Sequence, residues 1–235
     1  MLDAEEILRA YDRPDRGRRW VRANFVTSLD GAATHDGRSG PFGDPEDQQV
    51  LRLLRRLADV VVVGAGTVRV EGYGGLGLDD TDVAWRRARG LSDLPPLAVV
   101  SSALDLEPEA DVFGAPGPRP ILLTHAAAPA RRRQRLAAVA DVLVCGEEAV
   151  DPVRMLTELA ARGMHQVLTE GGPRLFGALV EADVVDELCL SVSPALVAGD
   201  ATRIARSDHA VMRRMRLGHV LPGRDILFLR YERAR

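Results

Sequence analysis

Three short stretches carry the residue types and spacings best suited to chemistry. In "HQVLTEGGPRLFGALV" (165–180) an apolar run ends in Glu170, Gly171 and Gly172, and a helix-forming run begins at once. Glycines before a helix let an anion approach unpaired backbone N–H groups at the positive end of the helix dipole. The same residues also serve a tight strand-to-helix turn with a carboxylate at the sheet edge, and both readings stay open at this point. In "NFVTSLDGAAT" (24–34) Asp30-Gly31 follows a strand-like run. This is either an Asp-Gly turn or a second carboxylate able to orient a substrate or move protons. In "VGAGTVRVEGYGG" (63–75) Gly64 and Gly66 have the G-x-G spacing of a dinucleotide turn, but Arg69 stands where a third glycine belongs. No helix of adequate length is expected between these glycines and Gly72.

Ser101-Ser102 end the next strand-like run where a dinucleotide fold places an acid for a ribose hydroxyl. Hydroxyls there suit a phosphorylated ribose, or simply cap a loop. Other chemistries are excluded by pattern. The chain has no G-x-x-x-x-G-K-[ST] and no G-x-S-x-G. His35, His125, His165, His209 and His219 fall in no zinc-protease or zinc-deaminase spacing, and His125 is read as a surface histidine. Cys145 and Cys189 are isolated and read as core thiols.

The 235 residues suffice for one large domain, with 46% apolar and 28% charged residues and a net charge of −3, which gives no reason to expect nucleic acid. The cluster Arg131–Arg133 with Arg135 is read as a solvated helix face. The acidic "MLDAEEILRAY" lacks a signal-peptide core, and the longest apolar run, around Val60–Val63, is too short to span a bilayer. A cytoplasmic protein without membrane partners is expected.

The elements that position these residues follow from patterning. Asp3 and Glu6 suggest a capping box and a helical extension over 1–18. Strands are expected at 19–28, 60–66, 96–102, 120–125, 141–146 and 165–170. Helices are expected at 43–59 (start signal Asp44-Pro45), 129–140, 151–163 (Asp151 cap, Pro152, Gly163 terminator) and 172–183. Residues 185–197 make one long strand or two, and Pro222-Gly223 turns a hairpin within 212–233. Stretches 71–95 and 103–119 are the least regular. Alternating strands and helices imply an α/β fold: a three-layer α/β/α domain over 1–235, with a mostly parallel central sheet and an antiparallel C-terminal hairpin. Its exposed edge suggests a homodimer.

Taken together and in order, "SLDG", "G-x-x-T-V" and "EGGPRLFGALVEADVVDEL" followed by "SPALVAG" resemble the pyrimidine reductases of riboflavin biosynthesis, from Arg19 onward. The resemblance implies a dihydrofolate-reductase-like fold, NADPH as hydride donor and a phosphorylated ribosylaminopyrimidine as substrate. It implies cofactor contacts from Val26, Gly64, Ala65 and Thr67, from Ser101 and Ser102 near the 2′-phosphate, and from Gly171, Gly172, Pro173, Arg174 and Leu175, with the whole turn from Gly171 to Gly177 on the phosphates. Asp30 would face the reacting sugar carbon and Glu170 the substrate, the two catalytic candidates. Ser39, Arg55 (for the substrate phosphate) and Glu71 would line the substrate side. No zinc ligands are found and there is no room for the deaminase of bifunctional members, so a stand-alone reductase without metal is expected. Where the family often has "DDPxL", this chain has Val70 to Leu76, which keeps one acid in Glu71 but alters the pocket wall. Ala103-Leu104-Asp105 lacks a basic residue that some members place near the 2′-phosphate. A reductase of another flat substrate on the same fold, such as dihydrofolate or a pterin, and a catalytically silent nucleotide-binding protein are the alternatives.

Overall fold

The computed structural model describes residues 2–13 and 15–234; Met1, Pro14 and Arg235 lie outside the described residues. Its centre is the valine run β2 (Val60–Gly64), whose four valines are fully buried. A run without polar alternation must be covered on both faces, and helices cover both. On one face Val61 and Val63 pack against Val50, Leu53, Leu54 and Leu57 of α2 (Pro45–Leu57). On the other, Val60 and Val62 meet Met155, Leu156 and Leu159 of α7 (Pro152–Ala160) and Leu175, Phe176 and Leu179 of α8 (Pro173–Glu181). Each large side chain buried this way contributes about 1.5–3 kcal/mol.

Among the described residues the strands are nine: β1 (Trp20–Thr27), β2, β3 (Leu97–Val100), β4 (Ile121–Thr124), β5 (Asp141–Val144), β6 (Gln166–Thr169), β7 (Glu187–Val192), β8 (Met215–Pro222) and β9 (Leu227–Arg233). They lie in the order β5-β4-β3-β2-β6-β1-β7-β9-β8, parallel from β5 to β7, with β9 and β8 antiparallel. This is the expected three-layer arrangement with a mostly parallel sheet and an antiparallel end. The remaining helices are α1 (Ala4–Tyr11), α3 (Ala65–Glu71), α4 (Asp80–Arg87), α5 (Asp111–Gly114) and α6 (Ala130–Leu136).

Several expectations need correction. Asp3 is at the N-cap of α1, but its side chain makes no capping hydrogen bond; α1 is held instead by Ile7 and Tyr11, both buried in the core beside α2. The expected helix is present and forms part of that layer. The strand expected to run to Gly66 stops at Gly64, because α3 starts at Ala65 and runs seven residues before Gly72 takes the left-handed conformation at its end. Within the stretch expected to be irregular lies α4, started by a capping box between Asp79 and Asp82. Its charged sequence hid the apolar period. The 185–197 run is a single strand, β7.

Under α1 sits a buried charge network. Glu187 on β7 accepts from Arg22 Nε at 2.6 Å, from Arg230 at 3.2 Å and from the Trp20 indole at 2.8 Å. Burial pushes the Glu187 carboxyl up, but the two guanidiniums outweigh it and hold the pKa at about 2.

Candidate active site at the carboxyl edge

β2 and β6 are neighbours in the sheet, and their exits turn in opposite directions. α3 leaves toward the α2 layer, where Val68 is buried, and α8 leaves toward the α7 layer. A crevice opens where connections diverge in this way, beyond the carboxyl ends of the strands. The two turns are tied directly: the Gly64 N–H donates to the Gly171 carbonyl at 2.7 Å. The Gly171–Gly172 peptide is cis.

Packing requires glycine at 171 and 172. A Cβ on Gly171, whose φ is +88°, would lie 2.8 Å from the Phe25 ring, and one on Gly172 would lie 2.5 Å from Thr67 Oγ1 on α3. A Cβ on Gly64 would be 3.4 Å from the Gly172 nitrogen. No side chain caps α8, so its first-turn N–H groups, at Pro173's successors Arg174 and Leu175, keep no intrahelical acceptor. Arg174 is exposed there. Gly177 does not belong to this surface, contrary to expectation. A Cβ on it would overlap the Arg206 carbonyl, and Arg206 N–H donates to the Pro173 carbonyl, so residue 206 covers the second turn.

One residue before the glycines, on the α2 side, Glu170 is gripped by Arg55. Nε and Nη2 of Arg55 each donate to the carboxylate at 2.7 Å, and Nη1 donates to the Leu76 carbonyl at 2.8 Å. Two of the five guanidinium N–H groups remain for a ligand. The Tyr73 hydroxyl donates to the same carboxylate at 2.6 Å. Burial opposes charge on Arg55, but the carboxylate opposite raises its pKa; burial first, then Glu170, pushes the Tyr73 phenol well up. Tyr73 was missed from sequence: it is the one aromatic among the glycines at 72–75, and that was the signal available. Beside this group, the Ser39 backbone N–H and hydroxyl donate to Glu71 at 2.9 and 3.0 Å. The four substrate-side candidates thus form two bonded pairs.

Asp30 is exposed and, among the described residues, shares no hydrogen bond with those pairs. It accepts from the Ser28 hydroxyl and from the N–H groups of Val197 and Ala198, at 3.1 and 2.8 Å. The Ser28 hydroxyl, with those backbone donors, lowers its pKa, so Asp30 is an ionised anchor between two loops. Val26 lies on β1 opposite Ser191 of β7. The Ser101 hydroxyl is buried and caps its own loop, accepting from Leu104 N–H at 3.0 Å, while Ser102 is exposed. His125, expected at the surface, is buried, because it follows β4 directly into the layered interior, and its Nδ1 has no partner. Cys145 and Cys189 are buried free thiols, as expected.

The fold and this edge define an α/β protein with a crevice where its central connections diverge, walled by a glycine turn on one side and an arginine–glutamate pair on the other. The chain belongs to the family described as the RibD C-terminal domain, which matches residues 19–225. It is 30% identical over 188 residues to a 2,5-diamino-6-ribosylamino-4(3H)-pyrimidinone 5′-phosphate reductase of Methanothermobacter thermautotrophicus, covering 79% of this chain and 82% of that protein. With the riboflavin biosynthesis protein RibD of Mycobacterium tuberculosis it shares 29% identity over 186 residues, 78% of this chain but 44% of the relative, so it spans under half of that protein. Among solved structures, a pyrimidine reductase-like protein from Corynebacterium diphtheriae superposes with a TM-score of 0.89 at 28% identity, covering all of both chains. The chain is thus homologous to pyrimidine reductases of riboflavin biosynthesis, a family of NAD(P)H-dependent reductases acting on phosphorylated pyrimidines.

Proposed function

We propose that this chain is an NADPH-dependent reductase that transfers hydride to the ribose carbon of a 5-amino-6-(ribosylamino)uracil 5′-phosphate-type substrate, in the cytoplasm. The observation that carries this reading is the joining of the two glycine turns through Gly64 and Gly171, directly beside Glu170. The residues fit a dinucleotide phosphate: the positions nearest the α8 N-terminus would be filled by any side chain, and N–H groups there have no internal acceptor. Gly171, Gly172, Pro173, Arg174 and Leu175 would hold the phosphates, Gly64, Ala65, Thr67 and Val26 would flank the nicotinamide half, and Ser101 and Ser102 would lie toward the ribose phosphate. When bound, NADPH supplies the hydride.

The chain's own task is positioning, which can supply about 7–11 kcal/mol of a barrier at best. Arg55 and Glu170 hold each other rigidly, and the two remaining Arg55 N–H groups face a ligand's phosphate or hydroxyls. Asp30, already charged and saturated with donors, acts as a fixed negative charge toward a cationic imine rather than as a proton donor. A homodimer completes the proposal. It is supported by exposed Met212, Leu217, Val220 and Leu227 around the antiparallel end, next to a groove of about 820 Å³.

The test is NADPH oxidation against the ribosylaminopyrimidine phosphate and against dihydrofolate, with wild type and Arg55→Ala. Turnover of the first substrate is expected, with KM raised about tenfold to a hundredfold in the variant, the range for losing hydrogen bonds to a charged group. Turnover of dihydrofolate instead would favour a pterin reductase, and binding of NADPH without oxidation of either would indicate a silent nucleotide-binding protein.

A further inference from the structure

The loop that follows α3 is fastened to the arginine–glutamate pair itself. From Gly72 to Gly77 only Tyr73 and Leu76 turn inward, and the glycines at 72, 74, 75 and 77 are exposed. Gly72 and Gly77 have φ of +72° and +65°, a conformation that residues with a side chain rarely adopt, so the chain turns back at both ends of the loop. A Cβ at Gly72 or Gly75 would meet nothing within 4 Å, so these glycines serve conformation, not packing, unlike Gly171 and Gly172. Two bonds fix the loop. The Tyr73 hydroxyl donates to Glu170 Oε2 at 2.6 Å, and the Leu76 carbonyl accepts from Arg55 Nη1 at 2.8 Å. Leu76 is buried in the α2-side core, Tyr73 packs against that core, and the Arg55 guanidinium carbon lies 5.9 Å from the centre of the Tyr73 ring.

This attachment changes what the pair offers a ligand. A carboxylate has about four acceptor sites, two on each oxygen. Glu170 Oε1 takes one bond, from Arg55 Nε, and Oε2 takes two, from Arg55 Nη2 and from Tyr73. Among the described residues the open site is therefore on Oε1. With the Arg55 fork alone each oxygen would keep an open site, and a ligand could engage either. The Leu76 carbonyl restricts the arginine in the same way, leaving one unused N–H on each terminal nitrogen. Tyr73 serves only as a donor to Glu170, because burial first and the Glu170 charge second push its phenol well above the usual 10 and keep the proton in place. A ligand edge that meets the pair gives one hydrogen bond to Oε1 and takes up to two from Arg55.

We propose that Tyr73 is a positioning residue of this site: its hydroxyl closes Glu170 Oε2, so that the substrate meets the carboxylate through Oε1 alone, in an orientation fixed before it binds. Without the hydroxyl the carboxylate is held by Arg55 only, and binding must itself order it. The assignment rests on the reductase reading above for the identity of the ligand, and on the two loop bonds for the role of Tyr73.

Calorimetry on the NADP⁺-saturated protein tests it, with the ribosylaminopyrimidine phosphate and dihydrofolate as probes and the tighter binder to wild type used throughout. Tyr73→Phe keeps the ring and removes the hydroxyl alone. It should weaken that probe about fivefold to tenfold, the range for ordering one more side chain on binding, while NADP⁺ itself binds within about twofold of wild type. Glu170→Ala supplies the readout that loop packing would not move: with the carboxylate gone, adding Tyr73→Phe should change probe affinity by less than about twofold. A Tyr73→Phe affinity within about twofold of wild type, the same loss with and without the Glu170 carboxylate, an equal loss of NADP⁺, or no binding of either probe to wild type would overturn the assignment. Binding is read separately from turnover. Glu170-dependent weakening in a protein that oxidises no NADPH with either probe would support the role of Tyr73 and sink the reductase reading, whereas turnover with Tyr73-independent binding would do the reverse.

Discussion

Asp47→Asn should make the protein more stable at neutral pH. Burial, with Asp44 adding to it, holds Asp47 of the folded chain at about 6 against an ordinary value of 3.8. A carboxyl raised on folding binds its proton more tightly in the native state, so the native state is favoured while the group stays protonated. As pH rises from about 4 to 6 the unfolded chain ionises first and stability falls; above 6 the deficit is constant. Its size is the shift of 2.2 (6 minus 3.8) times 1.36 kcal/mol per pKa unit, about 3 kcal/mol. Asparagine has nearly the same shape and no proton to lose. Urea melts of both proteins at matched pH should therefore show no advantage for the variant near pH 4 and up to about 3 kcal/mol near pH 8, or roughly 6–12 °C in Tm for a chain of this size. A difference that stays flat from pH 4 to 8 would refute the burial cost assigned to Asp47.

Two further outcomes follow from packing and charge. Glu187, held at about 2 against 4.5, contributes stability present above pH 4.5 and lost as pH falls toward 2, so Glu187→Gln should flatten the acid limb of a stability-versus-pH curve and, by leaving Arg22 buried without its partner, lower stability at neutral pH by about 3–5 kcal/mol. Unchanged stability at pH 7 in chemical denaturation would count against the network. Gly177→Ala should displace residue 206 from α8, at a cost of about 1–3 kcal/mol of overpacking plus the bond to Pro173, read as a lowered Tm and as faster amide exchange at Arg206; an unshifted Tm would show that the segment yields freely.

Particular residues show what could be read ahead of the structure and what could not. The Val60–Val63 run and the Asp151-Pro152 start announce themselves because local chemistry dictates them. The charged helix α4 does not, since its apolar face is little more than Trp85 and its capping box alone marks it. Pairings were less legible than elements. Glu170 and Arg55 are 115 positions apart, and nothing in either segment states that they bond. The same holds for Tyr73, and for Asp47, whose place in the first helical turn reads as ordinary capping chemistry until the fold is seen to bury it. Gly177 looked like part of a glycine-rich phosphate loop, because only the fold shows another stretch of backbone lying across it.

The strand order has a consequence for how the chain is made. β2, β3, β4 and β5 follow one another in sequence and in space, so this half can assemble as it emerges from the ribosome. β1 has no such neighbour. Its partners are β6, joining Trp20 to Gln166, and β7, joining Arg22 to Glu187, so the first strand synthesised waits for well over a hundred residues before either side is paired. During that interval an apolar strand is exposed to misassociation, and closure of so long a loop makes the last step of folding slow. The same insertion of β6 that brings the glycine turn beside Gly64 thus makes the crevice among the last parts of the molecule to exist.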